Sequence, residues 1–598
     1  MAGSERPDVI LVVTDQERAV PAYEADDLRA WRDQAMPGRR WFAEHGVSFG
    51  RHYTGSVACV PSRPTLLSGH YPDVTGVTQT DGLAKSPDDS RMRWMRPGEV
   101  PTLGHWFRAG GYDTHYVGKW HVSHADLMDP ATGEPLATNL DDGTLVPDPI
   151  QAYLDADVLD PFGFSGWVGP EPHGAAIANC GLVRDPIFAA RAVSWLHDRY
   201  ARRRAGEVAA ARPFLLVASF VNPHDIVFWP VWAEGGPLQP RPDDPPRVGP
   251  SPTDGEDLGT KPRAQAAYRE AYPSGYGPAA VVRSRYDDHL DAYRWTYHRL
   301  HLEVDDAIDQ VRRAVTEGGS QRAVLVRTSD HGEVLGAHGG LHQKWFNLYD
   351  ECIRVPFEVV RTGTVPTAGT RVEGVATSHV DLLPTLVGLA GLDGGEIEVA
   401  LAGTHSEVHP LPGRDLTPFV DVPDRSRPAV EVDRAVYVIT RDNILEGDTG
   451  ASGLARRLGR ADDPPPELRV SVAADVGANI EAMVVPVPDT IPGGHGHLWK
   501  VARYFDDPAT WTEPGVRHLT RSAADGDVYR TEALPDEWEL YDLDADPFEA
   551  HNRWTDAALE DLRAHLRHRL ATERQRSVPA RSSPWPYAPR RGVLAAGD

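Results

Sequence analysis

Four short apolar runs, each ending in a cluster of polar side chains, constrain the fold of this chain more than any other feature of its sequence. The runs are continuous rather than alternating and rich in β-branched residues, which is typical of strands buried on both faces of a parallel sheet. They are DVILVVTDQ at 8–16, YDTHYVGKWH at 112–121, FLLVASFVNPHD at 214–225 and AVLVRTSDHGE at 323–333. We therefore predict an α/β fold in which a large, mostly parallel or mixed sheet is sandwiched between helices.

The polar clusters at the ends of these runs predict a binding site. In open α/β sheets, ligands bind beyond the carboxyl ends of the strands. Residues that are far apart in the chain are therefore expected to meet at one edge of the sheet: Asp15, Gln16, Lys119, His121, His224, Asp330 and His331.

The rest of the chain predicts two domains and a tail. A length of 598 residues exceeds what one hydrophobic core normally organises. We predict a large α/β domain over 1–425, with helices at 293–315 and 378–391, and a smaller domain over 426–575 made of an antiparallel sheet and a helix at 556–575. Residues 576–598 form a tail rich in proline and arginine, and the Pro/Gly/Asp-rich stretch at 238–262 predicts a surface excursion that shapes a pocket rim or an oligomer contact.

The charge balance limits the classes of partner. With 61 basic and 87 acidic residues, the net charge of -26 argues against a general nucleic-acid or anionic-membrane binder, so an anionic ligand must be held by local cations. No apolar run approaches the roughly 20 residues of a membrane span. The start MAGSERP leads directly into a strand-like run without a signal-peptide pattern, which predicts a cytoplasmic location.

The three cysteines are too few and too scattered for a disulfide framework or a Cys-x-x-Cys zinc site. Cys180 and Cys352 are expected to be small buried apolar residues. Cys59 differs, because it opens the segment CVPSRPTLLSG at 59–69, which Tyr71 and Pro72 follow.

This segment resembles the signature of the type I sulfatases of the alkaline phosphatase superfamily, in which the cysteine is oxidised after synthesis to Cα-formylglycine. Several fixed residues within a dozen positions make the pattern specific. Further blocks resemble the family in its order along the chain: GKWH at 118–121, SDHGEVLGAHG at 329–339, Lys344, DECIRVP at 350–356 and ELYDLDADPFEAHN at 539–552.

The resemblance implies a hydrolase that cleaves an aryl or alkyl sulfate monoester through a formylglycine hydrate and one divalent metal ion. It implies metal ligands at Asp15, Gln16, Asp330 and His331, with the modified Cys59 completing the shell. Ca²⁺ is favoured, and Mn²⁺ or Mg²⁺ would also suit these donors.

The resemblance also implies the remaining roles in the site. Arg63 would hold the formylglycine hydrate, and Lys119 and Lys344 would bind sulfate oxygens. His121 would act as the base of the second half-reaction, and His224 would protonate the leaving alcohol. A helix beginning soon after Cys59 would direct free N–H groups at the anion. His338 and His342 are left outside the catalytic set, as structural or pocket-lining residues.

Two departures from the family pattern bear on the substrate. Asp15-Gln16 replaces the usual acidic pair and, with Asp330-His331, resembles the choline sulfatases and phosphonate monoester hydrolases, whereas Lys119 and His121 match the sulfatase GKWH block. Thr80 stands where an asparagine often follows the signature, so one hydrogen bond at the metal side is replaced or absent. FWPVW at 228–232 is either an aromatic side of the substrate pocket or a packed loop anchor.

Three functions therefore stay open at this point: a sulfatase, a phosphonate monoester or phosphodiester hydrolase using the same site, and a non-catalytic metal- or anion-binding protein with unmodified Cys59. The alcohol part of the substrate, whether aryl, alkyl, choline or sugar, is not fixed. The implied partners are a small-molecule sulfate ester and, transiently, a formylglycine-generating enzyme, and we also predict a homo-oligomer.

Overall fold

The computed structural model describes residues 6–174, 176–232, 238–318, 322–363, 369–421, 434–472, 475–521 and 528–584. Its strands in chain order are β1 Asp8–Asp15, β2 Val47–Phe49, β3 His52–Tyr53, β4 Asp113–Gly118, β5 Phe214–Pro223, β6 Ala323–Ser329, β7 Phe357–Arg361, β8 Thr370–Val372, β9 Thr377–Ser378, β10 Val436–Thr440, β11 Asn479–Pro486, β12 Leu498–Phe505, β13 His518–Arg521, β14 Val528–Arg530 and β15 Glu537–Asp542.

The helices in chain order are α1 Asp26–Ala35, α2 Pro37–His45, α3 Cys59–Ser68, α4 Pro72–Thr75, α5 Leu103–Ala109, α6 Pro147–Ala156, α7 Gly181–Arg204, α8 Arg263–Ala271, α9 Ala279–Asp288, α10 Leu290–Gly318, α11 Ala337–Gly340, α12 Asp350–Ile353, α13 Leu382–Leu389, α14 Gly394–Leu401, α15 Thr417–Asp421, α16 Gly453–Arg457 and α17 Glu560–Ser577. No helix in the described ranges is both long enough and apolar enough to cross a bilayer.

A seven-stranded mixed sheet forms the centre of the larger part of the molecule, in the order β4-β5-β1-β6-β7-β2-β8. The four predicted strands β4, β5, β1 and β6 are neighbours and run parallel. Beyond them, β7 runs antiparallel to both β6 and β2, and β8 runs parallel to β2. This arrangement confirms the predicted α/β class, with a parallel centre and a mixed edge.

Helices cover both faces of this sheet, because both faces of its central strands are apolar. On one face, Ile10, Val12 and Leu216 pack against α7 and α10 through residues such as Phe188 and Val311. On the other face, the alternate residues of the same strands pack against α3, α5 and α13, with members that include Val9, Leu11, Val217, Leu66, Phe107 and Leu386. All eight residues of β1 are buried, as its continuous apolar sequence predicts.

A second, four-stranded antiparallel sheet in the order β10-β11-β12-β15 forms the smaller part. One face of this sheet packs against α17 through Leu562, Leu566 and Leu570. The predicted boundary at 425/426 lies outside the described residues, and so does the tail from 585 onward. The division into domains therefore stays a prediction, although the two sheets lie on either side of that point in the chain.

The predicted helices differ from the structure mainly at their ends. The helix expected at 293–315 is α10, which extends to Leu290–Gly318. The helix expected at 378–391 is a 3-10 turn at His379–Asp381 followed by α13, and the helix expected at 556–575 is preceded by a similar turn, so that α17 begins at Glu560.

The excursion at 238–262 is tied to the body of the protein rather than projecting from it. Its Thr253 accepts a backbone hydrogen bond from Gly339 at 2.8 Å, and its Lys261 donates to the Tyr541 hydroxyl at 2.8 Å. The segment therefore contacts both the part of the chain around Gly339 and the antiparallel sheet.

Candidate active site at the carboxyl end of the large sheet

Cys59 lies at the first turn of α3, beyond the carboxyl ends of the parallel strands. The helix begins at Cys59 itself, with the Ser62 N–H donating to the Ala58 carbonyl at 2.9 Å. Strand β10 of the antiparallel sheet covers the preceding segment, since the Ile439 N–H donates to the Gly55 carbonyl at 3.1 Å and the Thr440 hydroxyl donates to the Val57 carbonyl. Cys59 is 1% exposed, so its side chain belongs to the interior of the folded protein.

Three buried side chains surround the Cys59 sulfur and form a candidate metal centre with it. The sulfur lies 3.1 Å from His331 Nε2 and 3.5 Å from Asp15 Oδ1. Asp330 completes the group, and one donor atom from each of the four residues lies within 4.8 Å of the others. The ends of β1 and β6 thus bring Asp15, Asp330 and His331 together as the sequence predicts.

Arg63 and Lys119 hold the two carboxylates of this centre. Arg63 donates to Asp15 Oδ2 and to Asp330 Oδ2, each at 2.9 Å, and its remaining Nη1 donates to the Lys119 carbonyl and the Ser219 hydroxyl. Lys119 Nζ lies 2.8 Å from Asp15 Oδ2. All three side-chain nitrogens of Arg63 are therefore engaged by protein groups, so Arg63 organises the carboxylates, and its contact with residue 59 stays a prediction.

The charges in this cluster shift the acidities of its members. Burial tends to raise the pKa of Asp15, but Lys119, His224 and Arg63 outweigh it and hold that pKa well below its usual range. Burial, reinforced by the charge of Asp15, raises the pKa of Asp330 to about 7. Burial and the same Asp15 charge raise the pKa of the Cys59 thiol to about 12, which keeps it protonated at neutral pH.

The surroundings of His331 keep its imidazole ring neutral, as a metal ligand requires. Burial, followed by the charge of Lys344, lowers its pKa well below the usual range. Its Nδ1 lies 2.9 Å from the Gly332 carbonyl, which can only accept, so Nδ1 carries the proton. The lone pair of Nε2 consequently faces Cys59 and the carboxylates, as in metal-binding histidines whose other nitrogen donates to a carbonyl.

Gln16 and Lys344 lie side by side at the edge of the cluster. The Gln16 backbone N–H donates to Asp330 Oδ1 at 3.1 Å. Its side-chain oxygen accepts from Lys344 Nζ at 2.7 Å, and its amide nitrogen donates to Gln343 and Glu333. The structure thus brings Gln16 to the site, while its place in a metal shell stays a prediction.

His121 is hydrogen-bonded to a carboxylate, Asp81, that no sequence pattern indicated. Its Nε2 lies 2.8 Å from Asp81 Oδ1, while its Nδ1 is buried without a hydrogen-bond partner among the described residues. Burial lowers the pKa of His121 to about 4, although Asp81 opposes this effect. Because neutral His121 donates from Nε2 to Asp81, its Nδ1 keeps a free lone pair.

Two further residues support this histidine. His173 places its Nε2 3.6 Å from the other oxygen of Asp81, and its side chain is 30% exposed. Glu171 Oε2 accepts the backbone N–H groups of Trp120 and His121 at 3.2 and 3.0 Å, which fixes the positive φ of 52° at His121. Of these three residues, Asp81 alone lies close in sequence to the Cys59 signature, and this closeness could have drawn attention to it.

His224 follows β5 and is buried near the same cluster. Its Nδ1 has no hydrogen-bond partner among the described residues. Burial, followed by the charge of Lys119, lowers its pKa well below the usual range. In the FWPVW segment, Phe228 packs 6.0 Å from the His224 ring, whereas Trp229 is buried against Tyr286. Trp229 therefore anchors the loop, and Phe228 is the aromatic residue beside the histidine.

The segment that follows β10 of the antiparallel sheet contributes Asp442 to the surroundings of the site. Asp442 Oδ1 accepts the Thr80 N–H at 3.0 Å, and Oδ2 accepts the indole N–H of Trp345 at 2.8 Å. Asp442 thereby positions both the segment that carries Asp81 and the neighbour of Lys344.

Among the described residues, His338 and His342 make their hydrogen bonds and ring contacts outside the cluster. His338 lies between Glu256 and Glu351, at 3.0 and 3.4 Å, and stacks on Tyr349. His342 stacks on Tyr286 with ring centroids 3.8 Å apart. Both have the environment of structural residues.

Comparisons with known proteins identify the family of this chain. The sulfatase family model matches residues 7–392. An uncharacterized sulfatase from Escherichia coli is 29% identical over 66% of this chain and 69% of its own length, and a choline-sulfatase from Rhizobium meliloti is 25% identical over 71% and 73%.

A solved structure extends the likeness to nearly the whole fold. The phosphonate monoester hydrolase of Agrobacterium radiobacter superposes with a TM-score of 0.53 over 96% of both chains at 20% identity. Cys180 and Cys352, at 1% and 0% exposure, are buried as predicted, which leaves Cys59 as the cysteine of the site. The chain belongs to the sulfatase family and is a hydrolase of sulfate esters.

Proposed function

We propose that this protein is a formylglycine-dependent sulfatase that cleaves an aryl or alkyl sulfate monoester into alcohol and sulfate. The observation that carries the proposal is the arrangement around the Cys59 sulfur. Side chains from the ends of β1 and β6 and from α3 lie around that one atom, with Lys119 and Lys344 bound to the same network.

The donor set fits a divalent metal ion. Asp15, Asp330 and His331 offer two carboxylates and a neutral imidazole around residue 59, and all are buried. When bound, the ion would stabilise negative charge on the nucleophilic oxygen and on the sulfate. Ca²⁺ is favoured, and the imidazole makes Mn²⁺ an acceptable alternative, with Mg²⁺ third.

The buried cations would bind and orient the sulfate group. Lys119 and Lys344 are 0% and 1% exposed, so their charges act in a poorly screened environment. In the free protein Lys119 is paired with Asp15, and Lys344 donates to Gln16. Substrate sulfate would share these donors with the side chains that already hold them.

Formylglycine at position 59 would supply a hydrate with two hydroxyl groups, one for attack on sulfur and one whose deprotonation re-forms the aldehyde and releases sulfate. His121 would accept that second proton at Nδ1, the nitrogen left free by the bond to Asp81. The Asp81 carboxylate would stabilise the imidazolium that results.

His224 would protonate the leaving alcohol. In the free protein its pKa is too low for a protonated ring at neutral pH, with burial and the charge of Lys119 as the two leading causes. The negative charge of a bound sulfate ester would offset Lys119 and raise that pKa. The acid form would thus be favoured in the substrate complex.

A phosphonate monoester hydrolase using the same residues is the second candidate function. The combination of Gln16 with His331 favours it, whereas the presence of both Lys119 and His121 beside the cluster favours sulfate. The third option, a binding protein with an unmodified thiol, predicts no turnover. The cytoplasmic location and the homo-oligomer remain further proposals.

The test combines mass spectrometry with turnover. The protein is produced together with a formylglycine-generating enzyme, and the tryptic peptide containing Cys59 is weighed. We expect conversion of CH₂SH to the aldehyde, and faster hydrolysis of 4-nitrophenyl sulfate than of the matching phenylphosphonate ester. Choline sulfate and sugar sulfates would then define the alcohol.

The matched control is Cys180, which is also 1% exposed and also stands at a helix start, as the residue preceding α7. Cys59→Ala is expected to abolish turnover, and Cys180→Ala to leave kcat unchanged. An unmodified Cys59 peptide from a host that converts other sulfatases would contradict the proposal. A higher rate on the phosphonate ester would support the second candidate instead.

A further inference from the structure

A second group of side chains that could hold a metal ion lies beside the Cys59 cluster. Asp81, His121 and His173 each offer one donor atom, and these atoms lie within 4.8 Å of one another. The group shares no residue with the cluster of Asp15, Cys59, Asp330 and His331.

The distances are close to those of a zinc site. Zn–N and Zn–O bonds of about 2.0–2.1 Å in a tetrahedron place the ligand atoms about 3.3 Å apart. His173 Nε2 lies 3.6 Å from Asp81 Oδ2, and His121 Nε2 lies 2.8 Å from Asp81 Oδ1. A small rotation of the Asp81 carboxylate would therefore open the space for the ion.

His173 also provides the route of entry. Its side chain is 30% exposed, whereas those of His121 and Asp81 are each 3% exposed. Its Nδ1 has no hydrogen-bond partner among the described residues, so no hydrogen bond of that nitrogen holds the ring in place. An ion could bind first to His173 and then pass to the two buried ligands.

We propose that Asp81, His121 and His173 form a second, inhibitory metal site that binds Zn²⁺ or a similar transition-metal ion. Two imidazoles and one carboxylate are donors that favour such ions over Ca²⁺. A fourth position would be open to water, as in zinc sites with three protein ligands.

The inhibitory effect rests on the proposed function, in which His121 accepts a proton at Nδ1. An ion bound at Nε2 uses the lone pair of that nitrogen, so the proton of neutral His121 must reside on Nδ1. The ring keeps its one proton and only changes tautomer, but Nδ1 no longer has a lone pair. Metal binding therefore removes the base without any change in the Asp15–Asp330 cluster.

The site itself is tested by Co²⁺ absorption on the full-length protein, with Ca²⁺ first added to saturate the other cluster. Four-coordinate Co²⁺ gives intense visible bands, which six-coordinate Co²⁺ does not. We expect one equivalent of Co²⁺ to produce these bands, and one equivalent of Zn²⁺ to abolish them. In His173→Ala the affinity should fall by at least about tenfold, which is the effect of losing even an outer-shell partner.

The matched control is His124→Ala. His124 lies on the same side of the site, near Trp94, and its side chain is 38% exposed, but it is outside the group of three ligands. This variant should retain the Co²⁺ bands. Bands of equal intensity and affinity in His173→Ala would overturn the second site.

Turnover then tests the inhibition. Zn²⁺ should inhibit sulfate ester hydrolysis by the wild type and by His124→Ala at the same concentrations, and by His173→Ala only at concentrations about tenfold higher or more. Equal inhibition of all three would show that Zn²⁺ acts at the Asp15–Asp330 cluster and would refute the inhibitory role. The Co²⁺ spectra decide the existence of the site even if the proposed function fails.

Discussion

Two buried histidines of this protein, His121 and His338, are both paired with carboxylates, but their environments differ in one respect. His338 has a carboxylate at each ring nitrogen, Glu256 at 3.0 Å and Glu351 at 3.4 Å. His121 has Asp81 at Nε2 and no hydrogen-bond partner for Nδ1 in the described part of the chain.

The difference in pKa follows from these contacts. Two glutamates outweigh burial at His338 and raise its pKa to about 9, so this ring is a permanent cation at neutral pH. At His121 burial prevails over a single aspartate, and the pKa falls to about 4. A charged histidine with both nitrogens hydrogen-bonded is suited to a structural role. A neutral histidine with one free nitrogen is suited to proton transfer.

The largest effect on turnover should follow from replacing His121 by glutamine. His121→Gln should lower kcat by about 10²- to 10⁴-fold, the usual contribution of a general base, with little change in Tm. Turnover of 4-nitrophenyl sulfate and the thermal midpoint are measured together on matured protein. Loss of kcat in His338→Gln with an unchanged Tm would reverse the assignment of the two rings.

His338→Gln should instead destabilise the fold in a pH-dependent way. Because the folded pKa of about 9 exceeds the ordinary 6.5, the charge contribution is complete below pH 6.5 and is lost as the pH rises through 9. A shift of this size corresponds to at most about 3 kcal/mol. Urea unfolding at pH 6 and pH 9.5 should show the larger difference from wild type at pH 6.

His342→Gln is the control for this pH dependence. Burial lowers the pKa of His342 to about 3, so its ring is neutral throughout this range. Because the unfolded ring is protonated below its ordinary pKa of 6.5, its loss should cost slightly less stability at pH 6 than at pH 9.5, which is the opposite order to His338→Gln. The same pH dependence in both variants would show that the pairing of His338 with the glutamates is not its source.

The smallest of the three effects is expected from removing one carboxylate. Asp81→Asn should reduce kcat about tenfold, which is less than the 10²- to 10⁴-fold effect of losing the base, because Asp81 acts only through His121. Because Asp81 raises the pKa of His121, its loss should lower that pKa further and move the acidic limb of the kcat profile to lower pH. Glu256→Asn, which removes a partner of the other histidine, should leave the profile unchanged.

The sequence predicted the fold and the candidate cluster because strand ends and a contiguous signature carry the information locally. The apolar runs identify β4, β5, β1 and β6, and parallel pairing then brings Asp15 and Asp330 to one edge. The order of the strands, and the mixed edge formed by β7, β2 and β8, depend on contacts between distant segments that no local pattern encodes.

The supporting side chains could not be predicted for the same reason. Asp81, His173 and Glu171 lie in segments without periodic helix or strand patterns, and their pairing with His121 is set by the folded loops. Asp442 comes from beyond the predicted domain boundary. From sequence alone, a polar residue in an irregular segment is expected at the surface. Its burial follows only from a partner in a distant segment.

The cover that β10 places over the segment before Cys59 has a consequence for the timing of biosynthesis. Thr440 and Val57, which are hydrogen-bonded in the folded protein, are 383 positions apart in the chain. At a synthesis rate of about 5–20 residues per second, roughly 20 to 80 seconds pass between their appearance. A ribosome-bound chain that ends before Val436 should therefore still present Cys59 to a converting enzyme. The released, folded protein should not. The speed of translation would then influence the fraction of molecules that mature.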